Sequence, residues 1–349
     1  MGGGFHAAAP SVVSRPLHGA ATWKGVLTMN SMTHPVLKQK HHKNVSYGRY
    51  GILFVLPFLL TFLFFQLYPI IFNVETSFTD TVGWDMINSH SFVGFENYQV
   101  IFDSSSQISQ NFWLSLQNTV IIWVCNFIPQ MIFALALANW FSDTRLNLRF
   151  RGGFKVLIFM PNTITAATIA VLFYALFSYP VAPINNLLQQ IGIAHAPYEF
   201  LRDTTVSRGI ISYVQWWMWY GNTMIVLIAG IMGINPSLFE AALVDGCTNG
   251  QLFRKITLPL LRPIMLYTLV TSMIGGLQMF DIPNLLTQGN PNKTTDTVAR
   301  FIYMQAFSGS RSFNIATAAS VILFVLIVIL SGCLFFFMRD RNAKAIGGK

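Results

Sequence analysis

The side chains best suited to specific chemistry in this sequence are amides, aromatic rings and one carboxylate that interrupt long apolar runs. They are Asn118, Asn126, Asn162, Gln215, Trp216, Trp219, Tyr220, Asn222, Gln278 and Asp281. Amides exchange hydrogen bonds with hydroxyl groups, and aromatic faces lie against the apolar face of a sugar ring. The set therefore predicts a site for a neutral molecule that is crowded with hydroxyls.

Each of these residues also has a purely structural interpretation. Trp216 and Trp219 suit an aromatic belt at the surface of a membrane. Asn118 and Asn126 suit hydrogen bonds to a neighbouring helix within a membrane. Asp281 suits the outer end of the helix that carries it. Both interpretations stay open at the level of sequence.

No pattern for covalent or metal chemistry accompanies this set. The sequence contains none of the patterns GxxxxGK[ST], HExxH or GxSxG. Its three cysteines, Cys125, Cys247 and Cys333, have neither metal-ligand spacing nor a disulfide framework, and we interpret them as small core side chains. We expect a non-catalytic chain that holds no metal and no cofactor.

The composition places these residues in a membrane. Charged residues make up 10% of the 349 residues and hydrophobic residues 53%, whereas a soluble domain carries roughly 25% charged residues. So little charge cannot cover the surface of a soluble protein of this length. The net charge of +9 gathers in short loops rather than on one soluble face, so we expect no nucleic-acid partner.

Six apolar runs come close to the ~20 residues that a helix needs to cross hydrocarbon. They cover residues 50–72, 112–140, 154–178, 210–234, 263–286 and 313–338. The second run is longer than a span requires, which indicates a tilted helix. We predict an all-α membrane protein with six transmembrane helices.

The positions of the basic residues predict the orientation. Of the 22 Lys and Arg residues, 17 fall in the two tails, the connection between the second and third runs, and the connection between the fourth and fifth. The positive-inside rule then places both termini and these connections in the cytoplasm. The segment 73–111 contains no Lys or Arg and is predicted to lie outside.

This layout predicts four parts. Residues 1–49 read as a disordered, basic cytoplasmic tail, because they have no apolar run of useful length. Residues 50–111 hold the first span and an external loop. Residues 112–338 hold five helices and an elbow, which we define as residues 235–262. Residues 339–349 form a second cytoplasmic tail.

The elbow contains "FEAALVDGCTNGQLFRKITLPLLRP", a charged stretch between two apolar runs. Asn or Ser can cap a first helix here, and Gly246 is placed to end it. A second short helix is predicted from about residue 250 to 258. Ser237 and Glu240 fit a capping box, which gives Glu240 a possible role within its own helix.

The residue pattern of the elbow resembles the EAA loop of the permease subunits of binding-protein-dependent ABC importers. The matching positions are Glu240, Ala241, Ala242, Asp245, Gly246, Phe253, Ile256, Leu258, Pro259 and Pro263. Cys247 stands where the family often has Ala. The resemblance implies the type I permease fold and a coupling helix that docks on a separate ATPase. The implied coupling residues are Glu240, Ala241, Ala242, Asp245, Gly246, Phe253, Arg254 and Pro259.

Two further segments resemble the carbohydrate-type members of that family. "FVGFENY", residues 92–98, is similar to their external loop after the first span. The segment 285–307 is similar to their loop after the fifth span, although Asn290 replaces a Gly. The resemblance covers about residues 50–338 and implies that the cargo is a sugar or an oligosaccharide.

The family resemblance also implies partners and a location. It implies a second permease chain in a heterodimer, two ATPase subunits that bind ATP and Mg, and an extracellular solute-binding protein. It implies a multi-pass protein in the cell membrane of a prokaryote.

Two alternatives remain at this level. A polyol or a glycerol-phosphate-like solute would keep the same machinery, but a phosphorylated cargo calls for Arg or Lys within the spans. An ion-coupled secondary transporter needs ionisable groups deep in several spans, and Asp281 is the one acid that we place in a span. The identity of the sugar is not encoded in any pattern that we recognise.

Overall fold

A computed structural model describes residues 48–83, 91–143, 149–180, 182–309 and 311–338. The predicted tail 339–349 and all but the last two residues of the tail 1–49 lie outside this range. The chain divides into two compact units, residues 1–56 and 57–349. In the first unit the structure describes the first turns of one helix.

The described residues form helices joined by short loops, with one isolated antiparallel bridge between Thr79 and Phe92. The α-helices are α1 (Gly48–Phe62), α2 (Tyr68–Thr76), α3 (Glu96–Phe102), α4 (Gln107–Ser142), α5 (Arg151–Phe159), α6 (Ala166–Phe177), α7 (Pro183–Gln190), α8 (Thr204–Met232), α9 (Pro236–Val244), α10 (Asn249–Leu252), α11 (Leu258–Leu260), α12 (Arg262–Leu277), α13 (Val298–Phe307) and α14 (Phe313–Met338).

Three of the predicted spans are long, continuous apolar helices among the described residues. They are Tyr50–Thr76 with 27 residues, Gln107–Ser142 with 36 and Phe313–Phe337 with 25. The first includes a π-helical turn, Leu63–Leu67, between α1 and α2. The predicted run 112–140 is extended at both ends in α4, and its 36 residues exceed the ~20 of a minimal span.

The other three predicted spans belong to bent helix pairs. The segment Arg151–Thr163 meets Ala166–Phe177 at 89°, Thr204–Met232 meets Pro236–Val244 at 73°, and Asn249–Leu260 meets Arg262–Leu277 at 65°. Six spans result when each pair counts as one. The first of these bends divides the predicted span 154–178 into two helices. A 3₁₀ turn with Pro161 ends one half, and the Thr165 side chain caps the other.

The predicted run 263–286 also differs from the structure. Helix α12 ends at Leu277, and the chain then passes through Gln278 into a π-helical turn, Pro283–Thr287. Composition alone does not show this end, because Met279, Phe280 and Ile282 keep the run apolar around Gln278 and Asp281. Residues 278–280 are therefore irregular rather than the last turns of a span, and helical backbone resumes at Asp281.

Helix α4 is the central helix of the second unit. Its buried side chains include a stripe that recurs every three or four residues: Ser115, Thr119, Ile122, Asn126, Gln130, Ala134, Ala138 and Phe141. Spacing of this kind places the stripe on one face of a helix. Small and polar residues allow helices to approach closely in a membrane. Parts of this face belong to buried clusters shared with α8 and α6, and α4 also packs against α12.

The motif "FVGFENY" holds the start of α14 and the end of α2 together. The buried Asn97 amide donates to the carbonyls of Ser77 and Thr79 at 2.9 and 2.8 Å, and accepts from Asn314 Nδ2 at 2.8 Å. The Tyr98 hydroxyl lies 2.7 Å from Ser77 Oγ. One buried amide therefore pairs two backbone carbonyls after α2 and a side-chain amide of α14, and so joins these segments to α3.

The loop 288–297 is fixed by a buried ion pair. Arg300 Nη1 lies 2.8 Å from Asp296 Oδ1, and the two side chains are 12% and 10% exposed. Burial raises the pKa of the Asp296 carboxyl above its ordinary value, although the guanidinium opposes that shift. The guanidinium fills the space beside Gly289, where φ is +78° and an added Cβ would lie 2.9 Å from Arg300 Cζ. Position 289 therefore requires glycine, both for its positive φ and for the space that the Arg300 guanidinium occupies.

Candidate functional site

A cavity of about 560 Å³ lies among α4, the break between α5 and α6, α8, α12 and the segment 278–282. Its polar lining residues are Asn126, Gln130, Asn162, Gln215, Asn222, Thr223, Thr268, Thr271, Ser272, Gln278 and Asp281. Its aromatic lining residues are Trp123, Trp219, Tyr267 and Phe280. The volume falls within the ~300–1,000 Å³ typical of small-molecule sites.

The structure brings seven of the ten sequence-predicted pathway residues to this cavity. They are Asn126, Asn162, Gln215, Trp219, Asn222, Gln278 and Asp281. These residues come from four separate segments of the chain, and the packing of those segments brings them together at one cavity. Their contact with a cargo remains a prediction.

Asn118 lies elsewhere and holds the loop 288–297 to the helices. Its Nδ2 donates to the carbonyls of Lys293 and Asp296 at 2.7 and 3.2 Å. Its Oδ1 accepts from Arg208 Nη2 at 2.6 Å, and Arg208 Nε donates to the Thr294 carbonyl at 2.8 Å. Asn118 is fully buried, so its amide has a structural role at the end of α8 opposite the elbow.

Trp216 and Tyr220 also lie outside the cavity lining. Their rings stack on each other with centroids 5.4 Å apart, and Trp216 also makes a T-shaped contact with Phe133 and a tilted contact with Tyr213. Trp219, on the same helix, is 47% exposed and borders the cavity. The three residues follow the i, i+3, i+4 spacing and share one broad side of α8, so their ring contacts rather than the helical period separate Trp219 from the other two.

The sequence argument missed several lining residues. Gln130 Nε2 donates to Thr223 Oγ1 at 2.7 Å, which joins α4 to α8 beside the cavity. Gln130 follows the predicted Asn126 by four residues, so helical spacing would have identified it. The hydroxyls of Thr268, Thr271 and Ser272 form a polar face on α12 by the same spacing.

The cavity carries little charge. Among its lining residues Asp281 is the single charged side chain, and no Glu, Lys or Arg lines it. A phosphate or carboxylate cargo would have no Arg or Lys partner in this lining. The available groups suit hydroxyls and ring faces instead.

The elbow is the second site that the sequence predicted. Asn235 caps α9 by accepting from the Ser237 backbone N–H at 3.1 Å, with Pro236 in the first turn. The capping box proposed for Ser237 and Glu240 is therefore wrong, because the helix begins before Ser237. Glu240 is exposed and is not part of this cap.

Gly246 ends α9 in the left-handed region, with φ +76°. The Cys247 N–H donates to the Ala242 carbonyl at 2.9 Å and the Gly246 N–H to the Leu243 carbonyl at 3.1 Å. These two bonds form a Schellman motif, which reverses the chain. The predicted turn at Gly246 is confirmed by its backbone geometry.

The second half of the elbow begins with a capping box of its own. Thr248 and Gln251 exchange bonds between side chain and backbone at the start of α10. A π-helical turn, Phe253–Thr257, connects α10 to α11, and the helical path continues to Leu260. The predicted helix over 250–258 is thus present, with one irregular turn.

The predicted coupling residues differ in accessibility. Glu240, Ala241, Asp245, Gly246 and Arg254 are exposed, whereas Phe253 and Pro259 are half-buried. Ala242 is 6% exposed and packs inward, and its part in the coupling surface stays a prediction. Val244, which is not among the predicted coupling residues, is 89% exposed at the end of α9.

Comparison with known protein families identifies the family to which this chain belongs. Residues 104–347 match the family described as "Binding-protein-dependent transport system inner membrane component". The chain belongs to this family.

Relatives of the permease extend the match over most of the chain. It is 32% identical over 294 residues to the lactose transport system permease protein LacF of Rhizobium radiobacter, which covers 84% of this chain and 95% of that protein. It is 28% identical over 305 residues to the arabinooligosaccharides transport system permease protein AraP of Bacillus subtilis, covering 85% and 93%.

A solved structure shows the same fold. The permease matches a chain of a bacterial ABC transporter involved in the import of the acidic polysaccharide alginate, with TM-score 0.72 and 26% identity. The match covers 84% of this chain and 96% of that one. A second structure of the alginate transporter contains a pentasaccharide-bound periplasmic protein. The predicted type I permease fold is confirmed.

Proposed function

We propose that this permease forms part of the membrane pathway of an ATP-driven importer for a neutral sugar or oligosaccharide. The cavity is the observation that carries the proposal, because its lining combines amides, hydroxyls and aromatic rings with a single carboxylate. Such groups recognise hydroxyls and ring faces. The named cargoes of LacF and AraP belong to the same chemical class.

The proposed partners follow from the family and the elbow. A second permease chain completes the pathway as a heterodimer, and an extracellular binding protein delivers the sugar. Two ATPase subunits bind ATP and Mg and dock on the exposed face of the elbow. Both termini and the elbow lie in the cytoplasm in this proposal, as the distribution of Lys and Arg favours.

The connectivity supports a direct mechanical link between elbow and cavity. Helix α8 ends at Met232 just before the elbow, and α12 begins at Arg262 at its other end. Both helices line the cavity. Closure of the ATPases would shift the elbow and so move two walls of the cavity together. The differential affinity of ATP and of the binding protein for the two states would drive the alternation.

The alternatives lack a supporting observation in the described residues. A glycerol-phosphate-like cargo would place its phosphate in a lining without Arg or Lys. An ion-coupled mechanism would rest on Asp281 alone among the lining residues, and it would leave the exposed elbow without a purpose. A neutral polyol remains compatible with the same hydrogen-bonding groups.

The test is uptake by the complete complex in proteoliposomes. The permease, its partner permease, the ATPase and the binding protein are reconstituted, and ATP-driven uptake is measured for radiolabelled lactose, maltose, trehalose, arabinotriose and mannitol. We expect uptake of at least one sugar only with ATP inside. Uptake that follows an ion gradient without ATP, or uptake of none of the sugars, would contradict the proposal.

A further inference from the structure

Trp123 is an aromatic side chain on the cavity wall that hydrogen bonding to a cargo's hydroxyl groups does not require. It lies on α4, is half-buried and borders the cavity. Its Nε1 donates to Ser272 Oγ on α12 at 3.4 Å. Its ring stacks on Phe127 with centroids 5.6 Å apart and planes 25° apart. The indole is therefore held from two sides.

Gly276 provides the third contact. A Cβ built on Gly276 would lie 2.7 Å from Trp123 Cγ and 2.9 Å from Trp123 Nε1, distances that real Cβ atoms do not show. The neighbouring Gly275 has no such neighbour within 4 Å. Both are ordinary helical positions without positive φ, so backbone conformation does not explain Gly276. The indole occupies the volume that any larger residue would fill.

This arrangement has a consequence for recognition. A ring that is already immobilised loses little conformational entropy when a ligand stacks on it. Sugar rings present an apolar C–H face, which packs against aromatic surfaces and gains from burial of apolar area. Trp123 is thus fixed in place beside the amides and hydroxyls that would bind the hydroxyl groups.

We infer that Trp123 is the fixed platform for a sugar ring during passage through the cavity, and that Gly276 and Ser272 are the residues that position it. This inference rests on the proposed function and assigns the ring-binding surface within it. It gives a role to residues of α4 and α12 that lie outside the elbow motif.

The experiment uses the complete reconstituted complex and the sugar from the panel that it takes up fastest. The readout is the number of sugar molecules delivered per ATP hydrolysed, at saturating sugar-loaded binding protein. We expect Trp123→Ala and Gly276→Ala each to lower this ratio by about tenfold, the equivalent of a single good stacking contact. Trp123→Phe, which keeps an aromatic face, restores part of it.

Two further variants separate positioning from folding. Gly209→Ala on α8 adds a methyl group in open space away from the cavity lining and should leave the ratio unchanged. If Gly276 acts through Trp123, adding Gly276→Ala to Trp123→Ala should cost nothing more, because the two effects are coupled. Thermal unfolding of each purified complex reports any loss of fold.

The outcomes separate failure of the proposed function from failure of the Trp123 platform alone. A wild-type complex that delivers none of the sugars contradicts the proposed function itself. Sugar uptake with an unchanged ratio in Trp123→Ala overturns only the platform. The platform is equally overturned if ATP hydrolysis and uptake fall in parallel with stability, since a packing defect would produce that result.

Discussion

The elbow and the cavity are built in opposite ways. The elbow is a contiguous segment in which caps and a Schellman turn are made by residues close together in sequence. The cavity draws its lining from residues between Trp123 and Ile282, on five separate segments. Local chemistry therefore specifies the elbow, whereas the cavity exists only after α4, α8 and α12 have packed. The difference predicts that substitutions will have distinct signatures in the two regions.

The largest effect is expected for Gly246→Pro in the elbow. Proline fixes φ near −65° and lacks the N–H that bonds the Leu243 carbonyl, while Gly246 has φ +76°. We expect a local cost of roughly 3 kcal/mol and loss of sugar uptake. ATP-driven sugar uptake by the reconstituted complex, with loaded binding protein, provides the measurement.

Gly250→Ala is the matched control for this change. Gly250 lies in the same elbow with open space for a Cβ and no positive φ. We expect near-normal uptake in that variant. Equal uptake in Gly246→Pro and Gly250→Ala would show that the turn does not couple the ATPase to the pathway.

In the cavity, Thr223→Val removes the partner of Gln130 Nε2 at the α4–α8 contact. An amide left buried without a hydrogen bond costs about 1–3 kcal/mol. We expect a lower unfolding temperature of the purified complex, and an elbow that still docks the ATPase. Thr271→Val is the control, since Thr271 bonds only carbonyls of its own helix. Equal unfolding temperatures for the two variants would show that the Gln130–Thr223 hydrogen bond does not stabilise the contact between α4 and α8.

Trp216 and Trp219 lie on the same helix, α8, but only Trp219 lines the cavity, so the pair tests the assignment of the lining. Trp219→Ala should reduce sugar delivered per ATP by about tenfold, because it removes an exposed lining ring. Trp216→Ala should chiefly lower the unfolding temperature, because Trp216 packs on Phe133 and Tyr220. The reverse pattern in these two assays would show that the lining role is assigned to the wrong tryptophan.

The smallest effect is expected at the first helix of the elbow. Asn235→Ala removes the observed cap and should cost about 1 kcal/mol of helix stability. Ser237→Ala should cost less, since its side chain is not the cap. The two variants are compared by hydrogen exchange at the first amides of α9. Faster exchange in Ser237→Ala than in Asn235→Ala would restore the capping box that the structure excludes.

The comparison also explains what could be predicted from the sequence. The spans and the turn at Gly246 follow from apolar length and from the special backbone freedom of glycine. Asn235 and Ser237 were both plausible caps, and only the position of the first helical turn separates them. The break at Pro161 and the early end of α12 lie inside apolar runs, where hydropathy carries no boundary signal.

Long-range contacts were the part that single-sequence reasoning could not supply. Asn118 and Asn126 lie on the same helix and have the same chemistry, yet one holds a loop and the other borders the cavity. Which role applies depends on residues more than a hundred positions away. Gly276 is the extreme case, since its requirement for glycine becomes visible only beside Trp123.

The most direct test of the account is protection of the cavity by its cargo. Thr271→Cys, in a chain whose three native cysteines are replaced by serine, is alkylated with N-ethylmaleimide in the purified complex, with and without a high concentration of the transported sugar. A chain with Ser105→Cys, in the exposed segment between α3 and α4, serves as the reference. The account predicts that the sugar slows alkylation at position 271 several-fold and leaves position 105 unchanged. Equal rates at position 271 with and without sugar would contradict it.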